Sequence, residues 1–176
     1  MSITKSYQDA LSHPIFNFIS KASAGLQIET YLIGGFVRDY FLKRGDAKDI
    51  DIVVVGNGID LALEVAKLLP NKPKVQIFKT YGTAMLRFQD IEIEFVGARK
   101  ESYSENSRNP VVENGSLEED QNRRDFTINA LALSLNPTDY GRLLDPFNGL
   151  KDLDEKCLRT PMNPDITYSD DPLRMM

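Results

Sequence analysis

Apolar residues recur along this chain with two alternating periods, and the switches between them outline its elements. Residues 13–24 repeat apolar side chains at helical spacing, with Ser12 as the cap, Pro14 in the first turn and Gly25 as the stop. Residues 28–33 are largely apolar and β-branched and predict a strand that runs directly into Gly34-Gly35. Val37, Tyr40 and Phe41 share one side of a helix over residues 36–44, which Gly45 closes. Residues 49–55 then read acid, apolar, acid and four apolar in succession, a strand with one buried face. An amphipathic helix follows over 59–69. Strands are predicted at 75–78, 84–88 and 91–96, the last two joined tightly through Gln89-Asp90. Residues 100–115 carry almost no apolar side chain and predict a long mobile loop. Ser116-Leu117-Glu118-Glu119 has the form of a capping box, and Leu117, Arg124, Ile128, Leu131 and Leu135 fall on one stripe, predicting a helix through about residue 133. A short strand at 143–144 precedes Asp145-Pro146-Phe147-Asn148-Gly149. The chain closes on Pro172-Leu173-Arg174-Met175-Met176 inside what reads as a helix without a C-cap, the pattern expected of a truncated piece of a longer protein.

Strands alternating with helices, followed by an antiparallel hairpin, imply a mixed α/β sheet flanked by helices. No G-x-G-x-x-G or Walker A pattern is present, so the wiring is not a plain dinucleotide-binding one. Hydrophobic residues make up 41% of the 176 positions and charged residues 27%, enough for a core and unlike a disordered chain. No apolar run approaches the roughly 18 residues that span a bilayer, and the polar opening does not resemble a signal peptide. Cys157 is the only cysteine, which excludes an intrachain disulfide and suits a reducing, cytoplasmic setting. With His13 the only histidine, a His-rich zinc site and a Ser-His-Asp triad drop out. The net charge of −5 runs against a surface that neutralises phosphates. Metal-binding carboxylates account for part of that acidity, and a nucleic-acid-holding region is expected outside this chain.

Two motifs carry the chemistry. Gly34-Gly35 between a strand and a helix presents backbone N–H groups at a helix N-terminus, where a triphosphate can be cradled, and Arg38 lies one turn further in. Asp49 and Asp51 are two apart on a strand and therefore point to one face. Paired carboxylates are what two Mg²⁺ ions need, because Mg²⁺ takes oxygen ligands and keeps sites for water and phosphate. A lone D-x-D is more often a solvated strand face, and a lone Gly-Gly more often a tight turn. Their succession in the order a triphosphate site requires is what strengthens both. Glu92 and Glu94, again on one strand face, each offer a third carboxylate for metal binding or for deprotonating a hydroxyl.

Four segments, from residue 32 to 176, together resemble one family: LIGGFVRDYFL with KDIDIVV, IEFVGAR, RRDFTINALA, and DPFNGLKDL followed by DDPLRMM. The chain is similar to the class II tRNA nucleotidyltransferases and bacterial poly(A) polymerases. The resemblance implies a DNA polymerase beta-like nucleotidyltransferase head over residues 1–148 and the start of a helical neck over 149–176. It further implies that Asp49 and Asp51 bind metal and that Glu94 is the third carboxylate, with Glu92 an adjacent alternative. By the same resemblance Gly34, Gly35 and Arg38 hold the triphosphate, Arg123, Arg124 and Asp125 contact ribose and phosphates, and residues 145–153 form a flexible link. Asp171 and Arg174 correspond to the pair that reads the incoming base; Asp170 stands where the family motif usually begins with Glu.

The base-reading role also has a chemical rationale. Three residues apart on a helix, Asp171 and Arg174 share a face. Cytosine and adenine both present an amino donor beside a ring-nitrogen acceptor, which a carboxylate and a guanidinium match, whereas guanine and uracil present the reverse. An i,i+3 ion pair at the surface is the commoner meaning of the spacing. The implied activity is addition of CTP and ATP to a tRNA 3′ end, with poly(A) polymerase or a small-molecule nucleotidyltransferase as alternatives and a regulatory nucleotide-binding module as the non-enzymatic rival.

Overall fold

Strand β2 (Asp49–Val55) is the spine of the molecule, because its alternating burial dedicates one face to core and the other to carboxylates. The computed structural model describes residues 6–45, 48–102 and 111–175. Helix α1 (Pro14–Leu26) leads into β1 (Glu29–Ile33), helix α2 (Gly35–Phe41) and β2; α3 (Gly58–Leu68) then crosses to β3 (Gln76–Phe78), β4 (Thr83–Phe88) and β5 (Ile91–Gly97). After β6 (Arg99–Ser102), β7 (Val111–Asn114) and α4 (Leu117–Asn122), strands β8 (Ala132–Ser134) and β9 (Leu143–Leu144) complete the main sheet, followed by α5 (Gly149–Asp154) and α6 (Pro164–Asp170). The seven-stranded sheet has the order β3-β4-β5-β2-β1-β8-β9. Every neighbouring pair in it is antiparallel except β2 and β5, which run parallel. The architecture is the mixed α/β sheet expected.

Ile50, Ile52 and Val54 point from β2 into one core, where they meet Phe16 and Ile19 of α1, Leu61 and Val65 of α3, and Ile93 and Phe95 of β5. Tyr31, Ile33, Val53 and Ala132 form a smaller cluster with Leu117 of α4 on the opposite face. The two faces of β2 thus follow directly from its sequence period.

Several element boundaries differ from the expectation. α1 is capped by His13, whose Nδ1 accepts from the Ile15 N–H at 3.3 Å, not by Ser12. It runs through Gly25 and stops at Gln27, which takes the left-handed conformation (φ 56°) and donates its N–H to the Ala24 carbonyl. α2 ends at Phe41, since Lys43 already has a φ of 54°. Residues 99–102 and 111–114, expected within or beside a loop, pair as an antiparallel ribbon from Arg99↔Asn114 to Ser102↔Val111. A ladder is made of backbone hydrogen bonds and needs no apolar face, so polarity alone did not exclude it. Residues 103–110 of the expected loop lie outside the described residues.

The largest correction concerns residues 116–135. The capping box forms as predicted: Ser116 Oγ accepts from the Glu119 N–H, and Glu119 Oε2 accepts from the Ser116 N–H at 2.9 Å. The helix nevertheless ends at Asn122, a 3-10 turn spans Thr127–Asn129, and the continuation is strand β8, hydrogen-bonded to β1. Leu131 and Leu135 satisfy a helical i,i+4 spacing and an i,i+4 strand spacing equally. Leu133, buried with them in the main core while Ala132 faces the smaller cluster, follows the strand period.

Residues 145–153, expected as a flexible link, form a capped turn and helix. Asp145 accepts from the Gly149 and Leu150 N–H groups at 2.6 and 3.1 Å, and α5 packs against the 127–131 segment. A Cβ at Gly149 would lie 2.6 Å from the Thr127 carbonyl oxygen, so only glycine fits there. Asp152, buried in α5, accepts from Thr127 Oγ1 at 2.6 Å and from Arg159 Nε at 3.2 Å. The hydrogen bond from Thr127 and the Arg159 charge together hold its carboxyl below the ordinary range, against the opposing effect of burial.

Because the folded-state pKa of Asp152 is depressed, its stabilisation is present above the unfolded carboxylate pKa of about 4 and is lost as pH falls through the folded value. Asp152→Asn is expected to cost about 1–3 kcal/mol at neutral pH. Urea melts of both proteins should show that difference shrinking on acidification below pH ~4; a difference that stays constant with pH would remove the carboxylate's charge from the account.

Candidate active site

The parallel register sets Asp49 beside Glu92 and Asp51 beside Glu94. Directly paired residues share a face, so four carboxylates line one side of the two central strands. They are not equivalent. Glu92 is held by Arg87 across the β4–β5 pair at 2.6 Å, whereas Glu94 opens with Asp51 into a cavity of about 500 Å³ that Arg99, Arg123 and Arg124 also line. Of the two adjacent candidates, Glu94 is therefore the one that faces the cleft. Asp49 lies exposed at the start of the strand, outside that lining.

Gly34 ends β1 immediately beyond the Ile33↔Asp51 pair. Its φ of 83° is a left-handed value that glycine adopts without strain. A Cβ on it would stand 3.4 Å from Asp51 Oδ2 and 3.5 Å from Arg124 Nη1, so carboxylate and guanidinium converge over this turn. The first-turn N–H groups of α2 follow at once, and helix geometry leaves them without acceptors within the helix. Gly34 and Gly35 thus form the turn between strand and helix that the sequence predicted, with the Gly34 N–H donated to the Leu131 carbonyl at 3.3 Å.

Arg38 is less available than expected. Its guanidinium forks onto Asp39 at 2.9 and 3.2 Å and gives Nη1 to Asn129 Oδ1 at 2.8 Å. To meet a phosphate it must exchange part of this set. Arg123 and Arg124 are both held by Asp120, which is fully buried: Oδ1 accepts from Arg123 Nε and Nη2 at 3.0 and 2.6 Å, and Oδ2 from Arg124 Nε and Nη2 at 3.3 and 3.1 Å. One carboxylate between two guanidiniums leaves net positive charge at the cleft. Asp125 does not project into the cavity lining; it accepts from the Phe126 N–H at 2.7 Å and from Asn129 Nδ2 at 3.0 Å.

Asn129 and Asp120 escaped the reading of the sequence. Asn129 gives its oxygen to Arg38, its nitrogen to Asp125 and its backbone carbonyl to Arg124 at 3.4 Å, joining the Gly34 turn to the 123–125 motif. The i+3 and i+4 spacing of Asp120 to Arg123 and Arg124 was a usable signal for its role. Nothing in the sequence marked Asn129 apart from its neighbours.

Asp171 and Arg174 do not share a helix face. α6 ends at Asp170, Asp171 is extended (φ −147°, ψ 102°), and Pro172–Met175 form a 3-10 turn whose Leu173 N–H donates to Asp171 Oδ1 at 3.1 Å. Pro172 cannot continue a helical hydrogen-bond ladder, which is the physical reason for the break. Neither residue lines the Asp51–Glu94 cavity. The side chain of Asp170 lies outside the described residues.

The donor set suits a hard cation. Asp49, Asp51 and Glu94 offer only oxygens, as Mg²⁺ prefers. Among the described residues no three His, Cys, Asp or Glu side chains come close enough to enclose a metal ion by themselves. An ion here would complete its shell with water and substrate phosphates, which is how Mg²⁺ is ordinarily held. The electrostatics agree. Desolvation pushes the Asp51 carboxyl above the ordinary range, Arg124 pulls it down, and the charges of Glu94 and Asp49 push it further up.

Known proteins carry the same frame. Residues 30–159 match the family described as Poly A polymerase head domain. Over 149 residues, 85% of this chain, it is 43% identical to the A-adding tRNA nucleotidyltransferase of Aquifex aeolicus (strain VF5), and spans only 18% of that protein's length. A solved apo CCA-adding enzyme superposes over 99% of this chain and 42% of its own with a TM-score of 0.86 at 34% identity. A tRNA nucleotidyltransferase complexed with a primer tRNA and an incoming ATP analog superposes over 89% of this chain and 42% of its own, with a TM-score of 0.76 at 38% identity.

A carboxyl whose folded pKa is raised supports the fold only below its unfolded pKa, and opposes it once ionised. In divalent-free buffer near neutral pH, Asp51→Asn should therefore melt slightly above the wild type, by an amount that solvent screening at this exposed side chain keeps small. Added Mg²⁺ should raise the wild type more than the variant and narrow the gap. Calorimetry with EDTA and with MgCl₂ reads both; a variant that melts lower in EDTA contradicts this account of the charge row.

Proposed function

This chain belongs to the Poly A polymerase head domain family, and on that premise we propose that it is the catalytic head of a template-independent nucleotidyltransferase acting on tRNA 3′ ends. The observation that carries the reading is the convergence of the Asp51–Glu94 row, the Gly34 turn and the arginine pair Arg123 and Arg124. A phosphoryl-transfer site needs these parts in contact: oxygens for a divalent ion, a turn for the triphosphate, and cations for the charge that develops. The family's names and the likeness to an enzyme caught with primer tRNA and an ATP analog support the choice of tRNA as acceptor.

The proposed reaction is attack of a 3′-hydroxyl on the α-phosphate of CTP or ATP with release of pyrophosphate. Asp49 and Asp51 would hold two Mg²⁺ ions. When bound, magnesium lowers the pKa of the attacking hydroxyl and neutralises charge on the leaving triphosphate. Glu94, beside Asp51, is placed to accept the hydroxyl's proton or to share in metal binding. Gly34 and Gly35 seat the triphosphate, and Arg38 joins them on giving up part of its bond to Asp39. Arg123 and Arg124, fixed by Asp120, face the phosphates, and Asp125 fixes the turn that presents them. Asp171 with Arg174 is proposed to read the amino edge of cytosine or adenine. Addition of both CTP and ATP is the activity proposed, in a cytoplasmic setting. Labelled ATP and CTP offered separately to tRNA lacking its terminal CCA distinguish this from A-only addition.

Asp49→Asn and Asp51→Asn are each expected to abolish nucleotide incorporation in Mg²⁺ without loss of fold, since both side chains are exposed and carry no core contact. Incorporation within a few-fold of wild type, by the same labelled-NTP assay, would refute the metal-binding assignment. For the base-reading pair, Asp171→Asn keeps an oxygen for the Leu173 N–H while changing the pattern offered to the base. The expected result is a kcat/KM for CTP and ATP lower by about tenfold to a hundredfold, with GTP and UTP gaining relative to them. Equal losses for all four nucleotides would reduce Asp171 to a cap.

A further inference from the structure

On the far side of the carboxylates from the Gly34 turn, the same sheet face continues to β3 and ends in two exposed aromatic rings. Cross-strand pairing arranges it in rows. Asp51, Glu94, Met85 and Gln76 form one row across β2, β5, β4 and β3, and Val53, Val96, Thr83 and Phe78 form the next. Two residues along a strand separate them by roughly 7 Å. At the end of the second row Phe78 is 41% exposed, and Tyr81, in the β3–β4 turn, is 72% exposed. The turn holds Tyr81 beside Phe78: its N–H donates to the Phe78 carbonyl at 3.0 Å, and Gly82 closes the turn with a φ of 64°. Both rings line the same 500 Å³ cavity as Asp51, Glu94, Arg99 and Arg123.

Two neighbouring exposed aromatic rings form a surface on which a planar ring stacks. The rim narrows the choice of ligand. A peptide or lipid would set apolar groups against Asp51 and Glu94, whereas the 3′-terminal nucleoside of an RNA carries a hydroxyl toward the carboxylates. The order of strands narrows it further. The triphosphate turn follows β1, the aromatic pair belongs to β3 and the turn after it, and the carboxylates of β2 and β5 lie between. A ligand on the aromatic side is therefore opposite the incoming triphosphate, across the reacting centre.

We propose that Phe78 and Tyr81 form a stacking platform for the 3′-terminal nucleoside of the acceptor RNA, with its terminal hydroxyl directed to the Asp51–Glu94 row. The proposal rests on the nucleotidyltransferase reading and adds to it the side from which the acceptor enters. The platform is indifferent to base identity, because stacking uses the ring face and not its edge. Its occupancy grips the acceptor without gripping the incoming nucleotide.

The test titrates the chain, carrying ¹³C-labelled Phe and Tyr and ¹⁵N-labelled Gly, with the ribodinucleotide CpC and separately with CTP and Mg²⁺, followed by NMR. CpC is expected to shift the Phe78 and Tyr81 ring signals, and CTP with Mg²⁺ to leave them in place while shifting Gly34 and Gly35. Phe78→Ala and Tyr81→Ala should each weaken CpC binding about tenfold and leave CTP binding within about twofold, while Tyr81→Phe keeps the stack and binds CpC as wild type does. Melting temperatures near wild type confirm that the exposed substitutions leave the fold intact. CpC binding that ignores both alanine variants, or CTP binding weakened as much as CpC, overturns the platform while leaving the nucleotidyltransferase reading in place. A folded chain that binds neither CpC nor CTP overturns both.

Discussion

The parallel ladder between β2 and β5 is the constraint on which this site depends. Antiparallel neighbours can be joined by a two-residue turn, but parallel ones need a crossover, and α3 with the β3–β4 hairpin supplies it. The result is a register in which Asp51 stands beside Glu94, an arrangement of like charge that opposes folding once both are ionised. The reverse faces of the same two strands supply the compensation. Ile50, Ile52, Val54, Ile93 and Phe95 are essentially fully buried against α1 and α3. Full burial of each such side chain is worth about 1.5–3 kcal/mol, so the core readily outweighs strain in the charge row. A strand that is half core and half carboxylate can present acids to a cleft because its other half does not move.

That division was legible in the order acid, apolar, acid, apolar along β2, and so were the Gly-Gly turn, the capping box and the hairpin through Gln89-Asp90. Several of the features that escaped the sequence share one physical character: spacings that two periods satisfy. Leu131 and Leu135 fit a helix and a strand alike, and the Ser116 cap that truly begins a helix lent false continuity to residues 123–135. Leu133 between them carried the deciding signal. Asp171 and Arg174 failed in a related way, since their i,i+3 spacing implies a common face only where the helix is unbroken, and Pro172 breaks it. Asn129 was beyond reach because its role is entirely tertiary: the Arg38 it bonds lies 91 residues away.

The RRDFTINALA segment then takes on a different meaning from the one its charges suggest. Most of its polar groups are turned toward the protein itself. Asp125 serves the Phe126 N–H and Asn129, Thr127 serves Asp152 of α5, and Arg123 and Arg124 are gripped from behind by Asp120. On the proposed reading, such a segment would serve a ligand mainly by what it prevents. Long guanidinium side chains lose considerable rotamer freedom on binding phosphate, and a buried carboxylate that already fixes both of them removes that loss in advance.

Asn129 completes the logic through the sense of its amide. Its oxygen meets a cation and its nitrogen meets an anion, so the side chain is oriented by charge at both ends and the reverse orientation would oppose both. Being neutral, it joins Arg38 to Asp125 without adding to a site already crowded with carboxylates. An aspartate there would bond Arg38 more strongly but repel Asp125, and a leucine would take one hydrogen-bond partner from each. The Gly34 turn and the 123–125 motif, remote in sequence, are thereby held at one separation by the side chain able to satisfy both.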